Sequence, residues 1–298
     1  MKALITGAHG FVGPYLTAHL EASGDEVVGV DRDMPIEDAD TVRSRFRDEL
    51  PDVVYHLAAL SHVGDSWTAP VEVVRVNVEG TLNVLLAAKD AGVDRVVVIG
   101  SAEQYGHVKP DRMPVTEDSP LQPVSPYGAS KVAAEALASY AVRGRDLPVV
   151  MVRAFNHLGP GQGDRLVAGA IAAQVARNER TGERIIRTGD LSAKRDFTDV
   201  RDVVRAYRAL AIDGVPGEAY NVCSATTHEI RAVAELLIGL SGRDMELQLD
   251  PDRLRPVDVP VLLGSNDKIR AATGWEPTIP LEQTLADILD WWRAQPAD

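Results

Sequence analysis

Short apolar blocks and longer stretches of mixed, helix-spaced sequence alternate through the first half of the chain. Lys2–Thr6 is apolar, residues 11–22 carry apolar positions at helical spacing behind a group of glycines, and Glu26–Val30 is apolar again and ends at Asp31. Short apolar blocks are buried strands and the periodic stretch is a helix, so the opening predicts a β-α-β unit. Further blocks at Val53–Leu57, Arg95–Ile99 and Pro148–Val152 are separated by helical stretches at 71–91 and 127–143. That alternation predicts an α/β fold built on a doubly wound parallel sheet with helices on both faces.

The texture changes after Arg153. Gly159-Pro-Gly-Gln-Gly163 is a loop, 165–178 reads as a helix, and the later segments mix short strands with turns. Pro256, Pro260, Pro277 and Pro280 punctuate the last stretch before a closing helix over Leu281–Trp292. The pattern predicts one unit over residues 1–155 with a return near 190–225, and a smaller α/β substrate lobe formed mainly by 156–298.

With 298 residues and 45% hydrophobic composition, the chain can bury one large core or two unequal ones. A formal net charge of −13 repels nucleic acid and anionic membrane surfaces, so neither is expected as a partner. Cys223 is the only cysteine, which excludes an intrachain disulfide and a cysteine-based zinc site. No leading signal pattern and no membrane-length apolar run are present, so the expected location is the cytoplasm. His9, His56, His62, His107, His157 and His228 lack ligand spacing, and no metal is expected.

Candidate chemistry begins at Gly7-Ala-His-Gly10-Phe11-Val12-Gly13, directly after the first strand. Glycines in that place let backbone approach a pyrophosphate at a helix N-terminus, which predicts a Rossmann-type site for NAD(H) or NADP(H). Asp31 can accept from both adenosine ribose hydroxyls and favours NAD, whereas Arg32 could turn toward the 2′-phosphate of NADP. The second signal is Tyr127 and Lys131, four residues apart and therefore on one helix face. A nearby ammonium and an oxidised nicotinamide both favour phenolate, so the pair is expected to lower the tyrosine pKa for proton transfer. Ser101, after the strand ending at Ile99, could hydrogen-bond the substrate oxygen. Taken alone, a packed aromatic at Tyr127 and a solvated charge at Lys131 would be the better account; beside the dinucleotide motif the proton-transfer pair prevails.

With these motifs the chain resembles the extended short-chain dehydrogenase/reductase family over nearly its whole length. His56-Leu-Ala-Ala59, Asn77-Val-Glu-Gly-Thr-Leu-Asn83, Tyr127-Gly-Ala-Ser-Lys131 and Arg153-Ala-Phe-Asn156 carry the resemblance, in order and at the family's spacing. It implies a nucleotide-sugar substrate, with Leu57, Ala58 and Ala59 lining the cofactor and Ser61 and Asn156 on the substrate side. It also implies a homodimer formed through the helices at 71–91 and 127–143. The second half is similar to the GDP-mannose branch at Asn156-His-Leu-Gly-Pro-Gly-Gln162, Lys194–Asp202, Tyr220–Ser224 and Arg255–Pro260. There Arg195 and Arg255 match positions that hold the diphosphate, while surface pairing with Asp196 or Asp258 would be the plainer account of both.

That branch contains a 4,6-dehydratase and a 4-keto reductase. A dehydratase needs an acid and a base beyond the hydride-transfer pair. Here Glu103 could serve as base, but Ala102 stands where many dehydratases carry a proton donor. The resemblance therefore implies reduction of a 4-keto sugar nucleotide, with the dehydratase, a 4-epimerase and a non-catalytic cofactor-sensing scaffold as alternatives. Between Asp31 and Pro51 the chain is short for the family, and Pro35-Ile36 replaces an Asp-Ile pair that commonly contacts adenine.

Overall fold

The computed structural model describes residues 1–253 and 259–296. Its first half runs β1 (Lys2–Thr6), α1 (Gly13–Ala22), β2 (Glu26–Val30), α2 (Ala39–Glu49), β3 (Val53–His56), α3 (Val63–Thr68), α4 (Pro70–Val74), α5 (Thr81–Ala91), β4 (Arg95–Ile99), α6 (Pro126–Arg145) and β5 (Val149–Ala154). The remainder is β6 (Asn156–Leu158), α7 (Val167–Thr181), β7 (Ile185–Thr188), β8 (Lys194–Asp199), α8 (Val200–Asp213), β9 (Ala219–Val222), β10 (Thr227–Glu229), α9 (Ile230–Ser241), β11 (Glu246–Leu249), β12 (Val261–Leu262), α10 (Asp267–Thr273) and α11 (Leu281–Ala294).

The six-stranded main sheet has the order β2-β1-β3-β4-β5-β9 with every neighbour parallel. Side chains along a strand alternate between faces, and here both faces are apolar. Ala3, Ile5, Tyr55, Val97, Val150 and Val152 enter a core shared with α1 and α8, while Leu4, Val54, Val96, Val98, Val149 and Met151 enter one shared with α2, α5 and α6. This two-sided burial is why β1, β3, β4 and β5 read as apolar blocks.

β9 returns from the second half to extend this sheet at its far edge, and Tyr220 and Val222 join the α1/α8 core. The rest of the second half packs α7, α9 and α11 around a separate core containing Ile171, Val175, Phe197, Val233 and Leu289. β8 pairs with β6, β10 and β12, and β7 pairs with β11.

Two local features depart from the sequence reading. The stretch at 71–91 is interrupted by a π-helical turn over Arg75–Gly80, where Asn77 is buried and bonded away from its own helix. The short segment after β2 contains α2, N-capped by Asp38, whose Oδ1 accepts from the Asp40 and Thr41 amides at 3.1 and 3.2 Å. Before it, Ile36 is buried against Gly80, and its carbonyl accepts from Asn83 Nδ2 at 3.0 Å. No further strand forms there, and β2 remains the edge of the sheet.

His56, at the end of β3, ties the carboxyl edge together. The Thr81 hydroxyl donates to the Asn77 carbonyl at 2.6 Å, so it receives the His56 Nε2 proton at 2.9 Å. Nδ1 must then accept from the Thr6 hydroxyl at 2.8 Å, and Thr6 Oγ1 accepts the Ala58 amide at 3.2 Å. Burial, and secondarily the charge of Lys131, hold the imidazole down to about 3 against an ordinary 6.5.

The unfolded chain therefore takes up this proton first as pH falls. The contribution of His56 to stability is complete above the ordinary histidine range and is lost progressively toward its folded value. Between pH 7 and pH 5 the loss attributable to His56 is expected to be about 2 kcal/mol. Urea denaturation at pH 7, 6 and 5 checks it: His56→Gln, less stable at pH 7, should show the shallower acid slope, and equal slopes would assign the titration to another group.

Candidate active site

β2 and β3 lie on opposite sides of β1, so the winding of the sheet reverses between β1 and β3. Loops leaving the carboxyl ends of two such strands diverge and leave a crevice between them. The loop after β1 is Gly7–Gly13 and the loop after β3 starts at Leu57-Ala58-Ala59. They are in close contact: Gly7 has φ +72°, and a Cβ there would lie 2.8 Å from the Ala58 amide nitrogen. A Cβ on Gly13 would collide with the Ala8 carbonyl. Both positions exclude side chains, which leaves a bare backbone cradle at the start of α1, with Val12 as its N-cap residue. This geometry fits a dinucleotide pyrophosphate. Asp31 follows β2 at the rim, with Oδ2 accepting the His9 amide at 3.0 Å, and Arg32 beside it is exposed.

Phe11 projects from the cradle toward the second half, stacking on His157 at a centroid distance of 6.1 Å. On the other side, Asn77 fixes the loop after β3: it accepts from the Leu60 amide at 2.8 Å and donates to the Leu60 carbonyl at 3.1 Å. It also donates to Ser130 Oγ at 2.9 Å, and Ser130 donates to the Tyr127 carbonyl at 2.7 Å. Asn77 thus locks the cofactor-side loop to the turn of α6 that carries Tyr127. Ser61 is exposed in the same loop.

Tyr127 and Lys131 lie in the first two turns of α6, whose start is set by Ser125, accepting from the Gly128 amide at 3.0 Å, and by Pro126. Gly128 is needed here because the Glu103 carbonyl would lie 2.7 Å from a Cβ. That contact seats α6 against the turn after β4. The Tyr127 phenol is hydrogen-bonded to Ser101, and both side chains are almost wholly buried. Lys131 Nζ donates to the Ile99 carbonyl at 2.7 Å. Ser101, Tyr127 and Lys131 therefore converge at the end of β4, two strands from the cradle.

The expected lowering of the Tyr127 pKa is not what the protein's own groups produce. Burial dominates and pushes the phenol up to about 12, the Ser101 hydrogen bond pulls it down, and the negative charge of Glu103 raises it again. Burial also brings Lys131 down to about 8. The side chains face a dry environment in which neutral forms are favoured.

Asn156 opens β6, just beyond the end of β5, and is exposed opposite Phe197 of β8. Arg195, in β8, is buried and donates from Nη1 to the Lys194 carbonyl at 2.9 Å. Asp196 is not a surface partner for it: the carboxylate is completely buried and accepts from the Ser224 amide and hydroxyl, both at 2.7 Å. Arg255 lies outside the described residues. Among the described residues no group of three or more His, Cys, Asp and Glu gathers as a metal site, and no helix is long and apolar enough to cross a membrane.

The sequence reading missed the support behind Ser101. Gln104 accepts the Ser101 amide at 2.8 Å and donates to Glu135 at 2.7 Å, and Glu135 pairs with Arg153 at 2.6 Å. Two signals were available: Ser101 and Gln104 have capping-box spacing, and Glu135 stands one further helical turn along the Tyr127/Lys131 face.

Comparison with known proteins agrees with this geometry. The model of the NAD dependent epimerase/dehydratase family matches residues 3–223. GDP-6-deoxy-D-mannose reductase of Pseudomonas aeruginosa is 35% identical, covering 99% of this chain and 98% of that protein. UDP-glucose 4-epimerase of Streptomyces lividans is 32% identical, covering 99% of this chain and 97% of that protein. Among solved structures, RMD from Pseudomonas aeruginosa complexed with NADPH superposes with a TM-score of 0.92 at 34% identity, covering 98% of this chain and 99% of that one. With the glycine cradle, the paired tyrosine and lysine and this full-length similarity together, the chain belongs to the NAD dependent epimerase/dehydratase family.

Proposed function

We propose that this NAD(P)-dependent oxidoreductase reduces the 4-keto group of a nucleotide sugar, converting GDP-4-keto-6-deoxy-D-mannose to GDP-D-rhamnose. Gly7, Gly10, Gly13 and Asp31 hold the dinucleotide, with Leu57–Ala59 along its other side. The bound cofactor supplies the hydride that C4 accepts. Tyr127 donates the proton that O4 then requires, and Ser101 hydrogen-bonds O4 while the charge develops. Lys131, held by a single carbonyl, is free to turn to the cofactor ribose and favour the phenolate left after proton transfer. Asn156, Arg195 and Arg255 take the diphosphate side of the substrate.

The observation that carries reduction over dehydration is the environment of Ala102. Its methyl is buried in an apolar cluster with Tyr105, Val115, Phe155 and Cys223, so this position offers no acid for expelling a C6 hydroxyl. Full-length similarity to a GDP-6-deoxy-D-mannose reductase supports the same choice. One observation favours a 4,6-dehydratase as the second reading: Glu103 sits in the turn after Ser101, half-buried, and its negative charge acts on the Tyr127 phenol.

A homodimer through α4, α5 and α6 is part of the proposal. Val71 and Val74 of α4 and Tyr140 of α6 are exposed, a surface that a second copy would cover.

Incubation with GDP-4-keto-6-deoxy-D-mannose should consume NADH or NADPH at 340 nm, whereas GDP-mannose should not. Conversion of GDP-mannose to the keto sugar without net cofactor change would instead establish the dehydratase. Tyr127→Phe should bind NAD(P)H within a few-fold of the parent while kcat falls about 10²–10⁴-fold, and retained turnover would remove Tyr127 as the donor. Light scattering should give twice the 32.1 kDa chain mass at micromolar concentration; a monomer mass across that range overturns the dimer.

A further inference from the structure

Behind Ser101 runs a chain of buried polar groups that the reaction does not touch. Gln104 has no exposed surface. Its Oε1 accepts the Ser101 amide at 2.8 Å and its Nε2 donates to Glu135 Oε2 at 2.7 Å. Arg153 grips Glu135 through Nε and Nη2 at 3.0 and 2.6 Å, and its Nη1 donates to the Tyr105 hydroxyl and the Glu117 carbonyl at 2.9 and 2.8 Å. Gly100 leaves the space, since a Cβ there would collide with Gln104 Oε1.

The two ends of an amide are not equivalent. With Nε2 committed to a carboxylate, Oε1 can only face the Ser101 N–H. This closes the 3₁₀ turn Ala102–Gln104, in which the Glu103 amide donates to Ser101 Oγ at 3.2 Å. With a lone pair of Ser101 so engaged, its hydroxyl is turned to Tyr127. Glu135 stands on the same helix as Tyr127 and Lys131, so the anchor of the serine and the proton donor move as one body.

We propose that Gln104, clamped by Glu135 and Arg153, is a positioning residue that sets Ser101 relative to Tyr127 by holding the Ser101 backbone. The inference rests on the reading of Ser101 as the group that binds the reacting carbonyl oxygen.

Gln104→Glu tests it through pH. Ionised, the new carboxylate repels Glu135 and cannot donate to it. Protonated, it restores an acceptor for Ser101 and a donor for Glu135. Two facing carboxylates share a proton at a raised pKa, so recovery occurs above the ordinary carboxylate range. The kcat of Gln104→Glu relative to the parent should be lower by about tenfold or more at pH 8 and recover several-fold by pH 6, with KM for NAD(P)H little changed. Gln104→Ala should lose a similar factor with no recovery. A packing role alone would make both ratios independent of pH, and that result overturns the inference.

Ser101→Ala separates the two readings. If it loses turnover while Gln104→Ala keeps it, the serine assignment stands and the positioning role falls; if Ser101→Ala keeps full turnover, the serine assignment falls and takes the inference with it. Hydrogen exchange reads the clamp without substrate, even where no keto sugar is reduced. The Ser101 amide should be protected in the parent and exchange faster in Gln104→Ala, and equal protection would overturn the clamp.

Discussion

Two cations are buried at the carboxyl edge of the main sheet, and the site depends on how differently they are compensated. A buried charge is tolerated only with partners. Arg153 has a full set: the Glu135 carboxylate takes two of its nitrogens, and the Tyr105 hydroxyl and Glu117 carbonyl take a third. Its pKa is driven above the ordinary arginine value despite burial. Lys131 has one neutral partner, the Ile99 carbonyl, and burial lowers it to about 8. The satisfied cation is locked into the framework. The under-compensated one gains most from a new polar partner, which suits the role proposed for Lys131 toward cofactor and phenol.

The same division runs through the family motifs. His56 joins β1 and β3 to α5, Asn77 joins the loop after β3 to α6, and Arg153 joins β5 to α6 through Glu135. Each is buried and supports the backbone from which the reacting side chains project. A tyrosine and a serine held by elements this tightly cross-linked keep a fixed separation, which the proposed proton donation by Tyr127 and hydrogen bond from Ser101 to one carbonyl oxygen would require.

The sequence made β1, β3, β4 and β5 legible because they are buried on both faces of the main sheet, so each reads as an apolar block. It also yielded Tyr127, Lys131 and the cradle, where residue spacing along one element determines which groups meet. It failed where pairing is non-local. β6, β10 and β12 are only two or three residues long, and β8, a polar strand, draws its partners from both sides in the chain, so no period marks them. α2 escaped notice because its apolar face is narrow, with only Val42 and Phe46 buried. Spacing shows the charge neighbours of Tyr127 but not the burial that holds its phenol high in the protein alone, because desolvation depends on the whole packed environment. Gln104 and Glu135 were hidden for the same reason as the small strands: their partners come from separate elements.

The choice between reduction and dehydration narrows to one turn. Successive residues of a 3₁₀ turn project about 120° apart. With the Ser101 backbone clamped, Ala102 is sent into the apolar cluster beside Phe155 and Cys223, and Glu103 is left on the half-buried side toward Tyr127. A polar residue at 102 would have to bury its head group in that cluster or pull the turn, and Ser101 with it, out of register. The alanine is therefore matched to the clamp: a rigid turn that would hold one hydroxyl for a carbonyl oxygen is compatible with the two-group chemistry of a reductase, and position 102 has no room for the second acid that dehydration would need.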